Sequence, residues 1–197
     1  MFNVFGLKKA KLDEVYLMRR KSQSSDTYWD FIRTVGAPLK TITDNAKEFL
    51  STKWQHVNRL NCIQNGTIED YHQNQNYAER RGGDLKTGVL KLFHHTPHAP
   101  LRYWCYALEF LAYARKHLSR KSLHGQSPMS MVTGDTVDIS IFQFPWFAPV
   151  WFYHPRVNFS VDKMLPGYFL GIKDNVGDTF SFYIVSTGQV NKLRPRV

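Results

Sequence analysis

Two carboxylates occupy positions where chemistry is commonly built. Asp44 ends a short β-branched run, Leu39 to Thr43, that reads as a strand. Ligands and catalytic groups gather at the C-terminal ends of strands in open α/β sheets. Glu79 falls in the first turn of a helix expected over about Ala78 to Phe93, after a polar stretch, Asn65 to Asn76, that reads as a loop. From there it could reach across a cleft while sitting well in the helix dipole. Each also has a simpler account, Asp44 as an N-cap and Glu79 as a helix-start acid. Arg80, Arg81 and Lys86 surround Glu79, and Lys86 returns to nearly the same helix face, where it could meet a phosphate. Ordinary solvated charge is the alternative.

Other clusters carry less. His94, His95 and His98 have no cysteine or carboxylate pair beside them, so a loop cluster is expected and no zinc site. Cys62 and Cys105 form no CxxC pair, which fits a reducing compartment. The formal charge is +10, from 26 Lys+Arg against 16 Asp+Glu. Such an excess favours a polyanion, most commonly nucleic acid. Aromatic residues make up 15% of the chain, enough for a packed core. The N-terminus has no signal-peptide pattern. The most apolar stretch, Ile139 to Phe152, is broken by Gln143, Pro145 and Pro149 and is shorter than the roughly 20 residues a bilayer needs. The expectation is an intracellular protein, nuclear or cytoplasmic, neither secreted nor in a membrane.

The elements that would position these groups follow the pattern of a mixed α/β sheet. Phe2 to Leu7 and Glu14 to Met18 read as a hairpin across a lysine-rich turn. Ser24-Ser25-Asp26 can cap a helix through Arg33, stopped at Gly36-Ala37-Pro38. Asn45 to Asn58 reads as a helix with Ala46, Phe49, Leu50, Trp54 and Val57 on one face. A helix from Leu101 to Ala112 opens after Pro100. Beyond Pro128 the character changes to short strands at 146–147, 150–153, 168–172 and 180–185, with a turn at Asp174 to Asp178. That suggests a small β module.

Thr43-Asp44-Asn45-Ala46-Lys47-Glu48-Phe49 resembles the S/T-D-N-x-x-E-F segment of copia-type retrotransposon integrases. Tyr71-His72-Gln73-Asn74-Gln75-Asn76-Tyr77-Ala78-Glu79-Arg80 is similar to that family's H-x-x-Q-N-x-x-A-E-R segment. Phe31-Ile32-Arg33, Gly36-Ala37-Pro38, Ser127-Pro128 and Thr133-Gly134 fall in family order. The resemblance implies an RNase H-like core over residues 1–135 and an SH3-like module over residues 146–197. It makes Asp44 and Glu79 the second and third acids of a D-D-E triad that holds two Mg²⁺ or Mn²⁺ ions for DNA strand transfer. Such ions activate the attacking oxygen and stabilise the leaving one. DNA ends, target DNA and further copies of the chain are the partners implied, with Arg80, Arg81 and Lys86 on the DNA.

The first acid of that triad belongs on a strand upstream of the hairpin, and the chain begins at the hairpin. The expectation is an N-terminally truncated core that is inactive by itself, the alternative being a non-catalytic nucleic-acid-binding module or a relic. Asp13, the nearest acid, reads as a solvated turn residue. In the family the absent strand lies between the Phe2-to-Leu7 and Leu39-to-Thr43 strands, so these either pair directly or leave the hairpin loosely held. Gly82, Gly83 and Gly88 each cost the Glu79 helix about 1 kcal/mol, a pattern that decay of the sequence would leave.

Overall fold

The computed structural model describes residues 1–44, 46–67, 77–153, 163–174, 180–186 and 189–193. They fall into two compact units, one of Met1–Asp84 with Leu118–Thr136, the other of Leu85–His117 with Val137–Val197.

The first unit opens with a hairpin, β1 (Phe2–Leu7) against β2 (Leu12–Leu17), in antiparallel register from Phe2↔Leu17 to Leu7↔Leu12. Lys11 takes a left-handed φ of 55° in the turn. Asp13 lies within β2, only 2% exposed. The reading of it as a solvated turn acid is therefore corrected: the turn ends at Lys11, and the strand begins at Leu12, two residues before the expected Glu14. Helix α1 (Ser24–Val35) begins at the serines rather than after them. They do not cap it, because the Asn3 amide donates to Ser24 Oγ at 2.8 Å and to Thr27 Oγ1 at 3.0 Å, tying β1 to the first turn. Gly36, at φ 109°, ends the helix.

Strand β3 (Lys40–Thr43) pairs in parallel with β4 (Gln64–Thr67), the crossover being α2 (Thr52–Leu60). This helix is shorter than the periodicity predicts. Its N-cap is Ser51, whose hydroxyl accepts from Trp54 N at 3.3 Å, and residues 46–49 form a turn in which the Phe49 amide donates to the Ala46 carbonyl at 3.0 Å. Phe49 keeps its apolar contact from outside the helix, edge-on to Trp54 at 4.8 Å.

The ribbons β1–β2 and β3–β4 are separate two-stranded sheets. β1 and β3 do not pair, and neither is the hairpin loosely held. Phe5 stacks on Tyr28, Phe31 and Trp54 with centroids 5.7, 5.0 and 6.2 Å apart. Tyr28 in turn reaches β3 through its hydroxyl, 2.6 Å from Thr41 Oγ1. One core formed by α1 and α2 therefore holds both ribbons, and burial of such large rings contributes roughly 2 kcal/mol each. The return segment adds α5 (Pro128–Thr133), capped by Ser127 and closed by Gly134 at φ 80°.

Helix α3 (Tyr77–His95) contributes its first turns to this unit and the rest to the second. In the second unit α4 (Trp104–His117) follows a 3-10 turn at Leu101–Tyr103. The sheet has the order β5 (Pro149–Tyr153), β6 (Met164–Asp174), β7 (Phe180–Ser186) and β8 (Gln189–Leu193), all antiparallel. Phe110 packs edge-on to Phe169 and over Gly171, where the β6 register shifts. Helix α4, which the motif reading assigns to the first domain, thus lies on the C-terminal sheet. Gly88 has a packing reason: a Cβ there would sit 2.4 Å from Leu111 Cδ2, so its absence lets α3 and α4 approach. No helix among the described residues is long and apolar enough to cross a membrane.

Candidate active site

Asp44 follows the last residue of β3 and is exposed. Its Oδ1 accepts the Ala46 amide at 3.2 Å, the local turn bond expected of an aspartate at a strand-to-helix junction. Parallel pairing sets Thr43 opposite Thr67, so the chain leaves β3 and β4 at the same end. Asp44 stands directly at that exit, and α3 is the next element after β4. Glu79 occupies the first turn of α3 and is exposed. The motif residues Tyr71 to Asn76, and Asn45, lie outside the described residues, as do Asp178 and the basic tail residues Arg194 and Arg196.

The surroundings of Glu79 are fixed by a charge cluster that local sequence does not announce. Arg81 Nε donates to Asp13 Oδ2 at 2.7 Å and Arg81 Nη1 to Asp84 at 3.1 Å. Arg120 approaches the same Asp13 oxygen at 3.9 Å. The Arg81 guanidinium also lies 5.9 Å from the Tyr77 ring centre. Its bond to Asp13 holds it above the ordinary guanidinium range, with burial working the other way. Burial, reinforced by Asp13, pushes the Tyr77 hydroxyl up. Gly6, opposite Asp13, completes the packing, since a Cβ there would lie 2.7 Å from the Tyr77 ring. Arg81 is therefore an internal tie rather than an open phosphate contact. Arg80 and Lys86 are exposed on α3.

The described donors do not make the site that a pair of divalent ions requires. Among the described residues, no three or more His, Cys, Asp or Glu side chains are grouped to hold a metal ion. Asp13, weighed in the sequence as a stand-in for the first acid of the triad, is turned to Arg81. His94 and His95 have ring centroids 6.1 Å apart, and His98 packs near Phe147 and Tyr168.

No protein-family model matches the sequence, and no curated protein matches it. Solved structures do. A chain of the simian T-cell lymphotropic virus intasome in complex with PP2A regulatory subunit B56 gamma is 18% identical, with a TM-score of 0.55, over 98% of this chain and 74% of that one. The HTLV-2 integrase catalytic core domain in complex with magnesium, in its dimeric form, gives 18% and 0.52 over 67% of this chain and 83% of its own. The trimeric form gives 18% and 0.51 over 67% and 92%. The fold is thus that of integrase catalytic cores, an RNase H-like mixed α/β arrangement. Its small antiparallel sheet at the C-terminus fits an SH3-like module.

Proposed function

We propose that this chain is the core portion of a retroelement integrase of the copia type, and that residues 1–197 by themselves bind DNA without joining it. The fold and the two motifs support the integrase reading, with Asp44 and Glu79 as two of the three acids. The observation that carries the second half is the state of Asp13, buried and bound to Arg81. It cannot also bridge two cations, and two-metal chemistry needs ions held roughly 3.5–4 Å apart. Two lone carboxylates hold Mg²⁺ weakly, because the ion gives up its waters reluctantly. Arg80 and Lys86, with the +10 charge, supply phosphate contacts. Further copies of the chain are the partners with which it would assemble on DNA. The basic charge, with no group of three metal-ligating side chains among the described residues, equally supports a binding module as the protein's working role.

The test is joining of a labelled duplex end to plasmid DNA with Mg²⁺ or Mn²⁺. Residues 1–197 should give no product. An added N-terminal strand carrying an aspartate should restore some, and Asp44→Asn or Glu79→Gln should abolish what is restored. Metal-dependent joining by residues 1–197 alone would overturn the inactive reading, and a restored activity indifferent to Asp44 and Glu79 would overturn the site.

A further inference from the structure

The outward face of the β5–β6 ribbon is apolar along its length. Pro149 faces Tyr168, Trp151 faces Pro166 and Tyr153 faces Met164, and all six are exposed. The alternate positions turn inward, with Phe152 and Phe169 in the core of the second unit. A half-solvated antiparallel sheet ordinarily shows polar residues to water. A contiguous apolar face in their place marks a binding surface.

Trp151 is 68% and Tyr168 41% exposed. The Tyr168 ring is backed by Phe147, with centroids 4.6 Å and planes 7° apart, so it is held flat as a platform. Beneath it the buried Phe147 leads to the buried Tyr103, 6.1 Å away, and the exposed Arg102 sits over the Tyr103 ring at 4.9 Å. None of the six facing residues is charged, whereas the second unit as a whole carries eleven Lys and Arg against five Asp and Glu. Exposed rings on a strongly basic module meet the two needs of an unpaired strand, stacking for its bases and cations for its phosphates. A duplex cannot use the rings, because its bases are already stacked on one another.

We propose that the β5–β6 face, with Trp151 and Tyr168 as its stacking rings, binds single-stranded nucleic acid. Bases lie on the rings and the backbone follows the basic side marked by Arg102. The site needs neither Asp44 nor Glu79 and lies in the second unit, so it stands apart from the strand-joining reading.

The test titrates the full chain with oligothymidylate and with an abasic oligonucleotide of equal length, following tryptophan emission and anisotropy. Oligothymidylate should quench emission and bind about 10-fold more tightly than the abasic strand. Trp151→Ala and Tyr168→Ala should each weaken oligothymidylate binding about 10-fold, as loss of one stacked base does. Trp151→Phe should recover much of the loss, and none of these variants should change the affinity for the abasic strand. Equal binding of the two oligonucleotides would overturn the proposal while leaving electrostatic DNA binding intact. Unchanged oligothymidylate affinity in Trp151→Ala, or loss of self-association as its sole effect, would also overturn it. Should Trp151→Ala unfold the sheet, Tyr168→Ser and the abasic comparison decide the matter.

Discussion

Asp13 and Arg81 are separated by 68 positions in sequence, yet their side chains form a forked ion pair, Arg81 Nε and Nη2 both donating to Asp13 Oδ2. Asp13 keeps 1% of its side-chain exposure and Arg81 17%. The pair ties the hairpin to the helical turn that bears Glu79.

Removing one partner leaves the other with a poorer one, the exposed Asp84 for Arg81 or Arg120 at 3.9 Å for Asp13, and an under-compensated buried charge costs more than the pair contributes. Asp13→Asn should lower stability by about 3 kcal/mol in urea unfolding. The double change Asp13→Asn with Arg81→Gln should cost clearly less than the two single changes summed. A single-variant loss under about 0.5 kcal/mol, the scale of a surface ion pair, would show that the tie carries no weight.

The three glycines of α3 should separate by their surroundings. A Cβ on Gly83 meets nothing within 4 Å, so Gly83→Ala should stabilise by roughly 0.5–1 kcal/mol through helix propensity. At Gly88 the same atom lies 2.4 Å from Leu111 Cδ2. Overpacking there should outweigh the propensity gain and give a net loss of about 1 kcal/mol. Thermal melts of the two variants check the order; equal shifts would rule out the close approach of α3 and α4.

Binding to duplex DNA should be electrostatic and indifferent to sequence. Replacing Arg80 and Lys86 by Ala should weaken several unrelated duplexes alike. It should also reduce the slope of log affinity against log salt by about 0.9 for each phosphate that is no longer neutralised. Anisotropy titrations at several salt concentrations give that slope. An effect confined to one duplex sequence would point to base reading instead.

His117 should make the second unit acid-sensitive. Burial holds its imidazole below the ordinary value, and Lys116 adds to this, while Tyr113 and Asp174 oppose it. Nδ1 donates to the Tyr113 carbonyl at 2.8 Å. A base with a depressed folded pKa is neutral when folded and protonated when unfolded over the interval between the two values. Stability is therefore full above about 6.5 and falls as pH drops below it, levelling at the folded pKa. Urea midpoints from pH 7.5 to 5 should show the decline, and His117→Gln should flatten part of it. Parallel curves for both proteins would exclude His117 as the source.

Much of the architecture is legible from local pattern. The limits of β1, the stop of α1 at Gly36 and the strands around Phe152, Phe169 and Phe182 follow from alternation and turn residues. Strand β4 escapes such a reading because Gln64-Asn65-Gly66-Thr67 contains no apolar residue and owes its place to parallel pairing. Periodicity misplaces the start of α2 because Ala46, Phe49 and Leu50 fit the helical repeat, whereas Ser51 supplies the cap. Asp44 and Glu79 are visible as strand-end and helix-start acids. Asp13 is not, since burial of a carboxylate among lysines depends on Arg81 and Arg120, which no local window contains. Arg81 turns inward from the expected phosphate contact for the same reason.

The first unit is discontinuous, and that has a consequence for its synthesis. Leu118–Thr136, which completes it, emerges from the ribosome only after Leu85–His117 of the second unit. Folding one domain at a time, N-terminal first, is the usual order for a nascent chain, and here it is closed. Arg81 is made before α4, and Arg120 can join the cluster only after all of α4 has been made.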